Sequence, residues 1–150
     1  MKRLSLLLIP VALFTLNSCH EDDRQATAIQ ETTLINNTVM QGTWHVTKYI
    51  DHGDIKTDDF AGYNFTFGAA NELTATNGTA TVTGNWTVTS SGSDDNSPDD
   101  NIDFNILFTE PPHFEDISDD WDIISRTALK LEMIDVGGSG DTDYITFEKN

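Results

Sequence analysis

The sequence predicts an all-β protein, an eight-stranded up-and-down antiparallel β-barrel, with a two-sheet β-sandwich as the alternative that periodicity alone leaves open. Three observations predict it. From Gln41 onward apolar and polar residues alternate with a period of two, the mark of half-buried strands. The alternating runs are short and are divided by stretches rich in Gly, Asn, Asp, Ser and Pro. One of those dividers is Asn77-Gly78, a strong hairpin signal because both residues tolerate the left-handed backbone a tight turn needs. Closing such strands on themselves removes the unpaired edges an open sheet would expose.

The first run carries Trp44, Val46 and Ile50 on one face and His45, Thr47 and Tyr49 on the other, with Lys48 interrupting the apolar side. In the second, Tyr63, Phe65 and Phe67 alternate with Asn64 and Thr66. Leu73 and Ala75 mark a short third strand, and Ala80, Val82, Gly84, Trp86 and Val88 a longer fourth. Ile102, Phe104, Ile106 and Phe108 form the fifth, which Pro111-Pro112 must stop because proline cannot donate to a ladder. Phe114, Ile117 and Trp121 then fall at i, i+3 and i+7, the spacing of about one helical turn packed on the sheet. Trp121 to Ser125 is the sixth run; Leu129, Leu131 and Met133 lie on the inner face of the seventh, Ile145 and Phe147 on that of the eighth. Residues 90–101 and 136–142 read as polar loops.

Ahead of the strands the chain divides into residues 1–18, a signal peptide, and 19–40, a polar tether, before the barrel domain at 41–150. Lys2 and Arg3 precede an apolar stretch from Leu4 to Leu16 that is too short to cross a hydrocarbon core needing about 20 residues. It leads to Cys19, the single cysteine of the chain. The tether lacks a firm hydrophobic period and suggests at most one helical turn near the domain. A flexible stretch of that length would have an end-to-end distance on the order of 25 Å.

Leu16, Ser18 and Cys19 resemble the lipobox of bacterial lipoproteins, with Asn17 a departure from the usual small residue. The resemblance implies that Cys19 is lipidated after cleavage, which leaves no thiol for a disulfide. His20 stands where an Asp would signal inner-membrane retention, and Glu21-Asp22-Asp23 resembles the surface-export signal of Bacteroidetes lipoproteins. These features imply an outer-membrane lipid anchor, on the cell surface or facing the periplasm. Gly42-Thr43-Trp44 at the start of the first strand is similar to the Gly-x-Trp signature of lipocalins. Together these motifs make residues 41–149 resemble the lipocalin-like lipoproteins of Bacteroidetes bacteria. In that family a basic residue from a late strand covers the Trp, and Arg126 and Lys130 are the candidates here.

The chain holds 25 Asp and Glu against 8 Lys and Arg, a formal net charge of -17. Nucleic acid is excluded as a partner, since phosphate contacts need basic side chains. The acidity suits a soluble displayed domain or a cationic partner. No Cys is free for zinc, and no phosphate loop or nucleophile elbow is present, so no catalytic residue, metal ligand or cofactor is assigned and the protein is expected not to be an enzyme. His52 with Asp51 and Asp54 could ligate a metal but reads as turn chemistry, and the acidic loops around 94–101 and 135–143 read as solvated. The expected function is binding, with a small hydrophobic ligand held by Tyr63, Phe65, Phe67, Trp86, Phe104, Phe108, Leu131 and Phe147. The alternative is a filled core and a surface that meets a protein partner. An eight-stranded barrel is wide enough for either.

Overall fold

The computed structural model describes residues 21–90, 102–137 and 140–150. Nine strands are described: β1 (Trp44–Asp51), β2 (Asp54–Ile55), β3 (Asn64–Phe67), β4 (Glu72–Thr76), β5 (Thr81–Thr89), β6 (Asp103–Leu107), β7 (Asp120–Arg126), β8 (Lys130–Val136) and β9 (Thr142–Lys149). From β3 to β9 each strand pairs antiparallel with the next. β1 pairs with β3 on one side and with β9 on the other, from Trp44↔Lys149 to Ile50↔Tyr144. That pairing closes eight strands into an up-and-down barrel and rules out the sandwich. β2 is an extra two-residue strand folded back on the end of β1.

The β1–β3 seam is narrow, with only Trp44 and Phe65 in register. Farther along, the segment after β2 takes over β1's free backbone groups. Lys56 N–H donates to Tyr49 O at 3.0 Å, and Tyr49 N–H donates to Thr57 Oγ1 at 2.9 Å. The 3-10 turn Thr57–Phe60 that follows puts Phe60 into the core beneath this seam.

Three side chains depart from the expected alternation for local reasons. The β1–β9 register shifts between Val46 and Lys48, so one extra residue enters β1 and the faces exchange. Tyr49, expected outside, is 1% exposed, while Ile50, expected inside, is only half-buried. Leu129, expected inside, is 65% exposed. It lies in a turn where Thr127 Oγ1 accepts the N–H groups of Leu129 and Lys130, and β8 starts only at Lys130.

The Asn77-Gly78 hairpin forms as expected. Gly78 has φ 84°, and Asn77 Oδ1 accepts the N–H groups of Thr79 and Ala80 at 3.0 and 2.8 Å. The expected helical turn is α2 (Pro112–Glu115), which sets Phe114 into the core with Ile117 close behind. Ser118 stitches this segment to the end of β6: its Oγ accepts Phe108 N–H at 2.7 Å and lies 3.0 Å from Phe108 O.

The larger difference is upstream. The segment expected as a flexible tether holds a 19-residue helix, α1 (Glu21–Val39). Ile35 and Val39, one turn apart, are each 2% exposed against the barrel, whereas Ile29 and Leu34 face solvent. Arg126 of β7 pairs with Glu31 of α1. The sparse apolar residues of α1 hide its period, and the helix depends on tertiary contacts at its second half.

Candidate functional site

The junction between α1 and β1 shows what the Gly-x-Trp residues do. After α1 the chain must turn sharply, and Gly42 adopts φ 80°, a left-handed conformation that side chains disfavour. Trp44 is then fully buried, and its Nε1–H donates to Val39 O at 2.8 Å. The indole thereby satisfies one of the carbonyls that a helix end leaves open. Lys149 of β9 lies over the Trp44 ring, with Nζ 4.9 Å from the centroid. The covering base is therefore Lys149, and the expectation of Arg126 or Lys130 is corrected. Arg126 reaches α1 instead, and Lys130 pairs with Glu132 at 2.7 Å. Lys149 is the β9 partner of Trp44, so it is the strand register that selects it.

The residues expected to wall a pocket all belong to the barrel core. Phe65, Phe67, Trp86, Phe104, Phe108, Leu131 and Phe147 are 4% exposed or less, and Tyr63 is partly buried against them. Their faces meet one another. Phe65 and Phe147 are 5.2 Å apart between centroids, Phe67 lies 5.4 Å from Trp86, 5.5 Å from Phe104 and 5.7 Å from Phe147, and Trp86 stacks on Phe104 at 5.9 Å. Phe114, from the segment between β6 and β7, touches Tyr63 at 5.1 Å and Phe108 at 4.9 Å. Edge-to-face pairs of this kind contribute about 0.5–1.5 kcal/mol each beyond the area they bury. The sequence reading did not place Phe60 in this network, where it touches Tyr49 at 5.5 Å and Phe114 at 5.4 Å. Phe60 sits in no alternating run, which is why periodicity passed over it.

Outside the core, an open groove of about 530 Å³ lies between the end of α1 and β5. Asn36 and Met40 form one side, and Ala69, Ala70, Trp86 and Val88 contribute to the other. Trp86 is held there by its Nε1–H, which donates to Gly68 O at 3.1 Å.

A second cluster lies where the β1–β2 turn meets β9. Asp51 ends β1, His52 follows with φ 49°, and the register that pairs Ile50 with Tyr144 brings Asp143 alongside. Lys56 bridges Asp51 and Asp116, the latter at 3.2 Å. Partial burial works to raise the Asp51 carboxyl, but hydrogen bonds from Lys56 and His52 win and hold it below the usual carboxylate range. The bond to Asp51, with the charge of Asp143, raises His52 above its ordinary value. Lys56 is likewise raised, by its bonds to Asp51 and Asp116. Burial pushes the Tyr49 hydroxyl up, and that hydroxyl donates to Asp116 O at 2.5 Å. The sequence offered His52, Asp51 and Asp54 as neighbours; the fold keeps the first two and replaces Asp54 with Asp143, which is distant in the chain. A little farther on, partial burial together with the charges of Asp135 and Asp120 pushes the Asp119 carboxyl up to about 6.

The other sequence-derived residues are separate from these places. Cys19, His20 and the acidic loop at 94–101 lie outside the described residues. His113 packs against Phe114 at 4.8 Å. His45, opposite Glu148 on β9, is half-buried, and its Nδ1 is covered without a hydrogen-bond partner.

The architecture defines the chain as a closed eight-stranded antiparallel β-barrel with one extra strand and a little helix. No family model matches the chain, and no curated protein matches it. Among solved structures it is similar to a DUF4847 family protein from Bacteroides vulgatus, with 19% sequence identity and a TM-score of 0.49 over 77% of this chain and 97% of that one.

Proposed function

We propose that the chain is a lipid-anchored, non-enzymatic lipocalin-like barrel of the outer membrane that acts through its surface, with its interior serving as a packed core. The observation that carries this reading is the mutual contact of the rings expected to surround a ligand, Phe65 with Phe147 and Phe67 with Phe104, Trp86 and Phe147. Side chains whose faces are already in van der Waals contact leave a hydrophobic cargo nothing to replace. The anchor is Cys19, two residues before α1 begins. The second half of α1 is docked on the barrel, so only its first turns, at about 1.5 Å per residue, would act as a spacer stiffer than a random chain. The excess of 25 acidic over 8 basic side chains favours a cationic partner.

Each part of this reading can be tested. Intact mass spectrometry of the membrane-extracted protein should find an acylated chain beginning at Cys19, and Cys19→Ala should release it to the soluble fraction. Protease treatment of whole cells tells surface display from a periplasm-facing anchor. Native mass spectrometry and displacement of a fluorescent fatty acid should detect no retained lipid, and a basic probe protein should be captured in a salt-sensitive manner. A stoichiometric apolar ligand whose binding survives Met40→Glu would overturn the packed-core reading.

The groove beside α1 favours a second reading, in which a small apolar ligand binds outside the barrel. Its volume, about 530 Å³, falls within the range of ligand sites. Quenching or enhancement of Trp86 fluorescence by such a ligand, lost on Met40→Glu, would favour it.

A further inference from the structure

Asp51, His52 and Asp143 each offer one metal-ligand atom, and these atoms all lie within 4.8 Å of one another. Asp51 Oδ1 and Asp143 Oδ2 face the same nitrogen of His52, Nδ1; the second of them is 3.9 Å from it. Each carboxylate is fixed through its other oxygen. Asp143 Oδ1 accepts the backbone N–H of His52 at 2.7 Å, and Asp51 Oδ2 accepts from Lys56 Nζ. The two carboxylate side chains are only 16% exposed, whereas the imidazole is 68% exposed. Two oriented, mostly covered carboxylates thus direct their remaining oxygens at one accessible imidazole. The charge of Lys56 does not cancel theirs, because Lys56 is shared with Asp116 at 3.2 Å.

We propose that Asp51, His52 and Asp143 form a site for a divalent transition cation of the zinc type, bound through His52 Nδ1 and one oxygen from each carboxylate. Donors about 2.0–2.2 Å from a tetrahedral zinc stand roughly 3.3–3.6 Å apart, which the observed triad reaches by small side-chain rotations. The imidazole nitrogen selects zinc over calcium, which prefers six to eight oxygens. Three protein ligands leave a fourth position to water. The cation takes the place of the hydrogen between His52 Nδ1 and Asp51, and Nδ1 donates its lone pair to the metal; the displaced proton passes to Nε2 of a neutral ring or to solvent from a charged one. The hydrogen bonds that orient the carboxylates are already in place: the His52 backbone N–H holds one and Lys56 the other.

The test is isothermal titration of the full chain with zinc chloride, with Cys19→Ser in every arm to remove the thiol as a rival ligand. One saturable site is expected, with calcium chloride giving no comparable heat. His52→Ala should abolish it. Asp143→Asn, which keeps the side-chain shape and the hydrogen bond to the His52 N–H, should weaken it at least about tenfold, no less than the loss of a group that only supports a ligand. Asp54→Asn, in the same turn but outside the triad, should leave it unchanged. The imidazole resonances of His52 should shift on zinc addition while those of His113 stay in place. Absence of saturable binding overturns the proposal and leaves the triad a plain ion pair. Binding that survives both His52→Ala and Asp143→Asn overturns it as well, by assigning zinc to other ligands. Circular dichroism and thermal melting confirm that each variant is folded.

Discussion

At the scale of single residues, Gly84 is the least replaceable of the small ones in the barrel wall. A Cβ there would stand 2.4 Å from Leu107 O and 2.6 Å from Phe108 Cδ1. Strand β6 cannot retreat without giving up its pairing with β5, and Phe108 is itself fully packed. Gly84→Ala should therefore destabilise the protein by about 1–3 kcal/mol, the usual cost of overpacking, as a lower midpoint in urea unfolding. Glycine at this point of an inward-facing run was visible in the sequence; the neighbour that requires it was not. Asp119 makes a different prediction. Its carboxyl titrates at about 6, above the value of an unfolded Asp, so the folded state holds its proton more tightly. Stability from this group is present at low pH and is lost as pH rises from about 4 through about 6. Asp51 has the opposite sign, adding stability above the unfolded carboxylate value that is lost as pH falls through its own lowered one. Side-chain carboxyl NMR titration should separate them, with Asp119 the later to ionise; Asp119→Asn should remove the loss of stability between about pH 4 and about pH 6.

At the scale of elements, α1 tests how far a helix depends on the body it touches. Its core contacts are Ile35 and Val39, its ion pair is Glu31 with Arg126, and its end is fixed by Trp44 Nε1–H on Val39 O. In proteins most helical stability comes from tertiary packing, and the Thr, Asn and Asp residues of α1 are weak helix formers. Ile35→Ala removes part of the docking face, a loss on the order of 2–5 kcal/mol for a buried Ile. We expect that loss to fall on α1. In hydrogen exchange, amides of 26–39 should exchange much faster in the variant, while those of β8 and β9 keep their protection. Equal acceleration in both would mean that helix and barrel unfold as one unit. The elements read correctly from the sequence are those with a strong local period, such as β3 with Phe65 and Phe67. β1 was read half correctly, because a single extra residue at the bulge turns Tyr49 inward and no local pattern announces where a bulge will fall. α1 went unread because two buried residues in a polar stretch carry no periodic signal.

At the scale of the whole molecule, charge and closure act against each other. An excess of 25 acidic over 8 basic groups repels itself in a compact barrel. Raising ionic strength from about 0.01 M, where the Debye length is about 30 Å, to about 0.15 M, where it is about 8 Å, should raise the melting temperature. Calorimetry at the two salt levels checks this; a fall would show that the Lys56 and Arg126 ion pairs outweigh the general repulsion. The barrel is closed by β1 and β9, the two ends of the domain, so the seam joins residues from Trp44 with Lys149 to Ile50 with Tyr144. The same seam assembles both the Trp44–Lys149 contact and the Asp51–His52–Asp143 triad.

The sequence by itself determined the strand count of the barrel, the hairpin at Asn77-Gly78, the helical turn after Pro111-Pro112 and most of the aromatic residues that fill the interior, because each is encoded in the period or turn chemistry of a few neighbouring residues. It determined Gly42 and Trp44 as a pair, since a left-handed turn and a large apolar side chain are local demands. Only the tertiary structure decided that β1 meets β9, that Lys149 covers Trp44, that Asp143 joins His52, and that the aromatic side chains face one another. These are contacts between distant parts of the chain, set by register and closure, and register depends on how all the strands fit together at once.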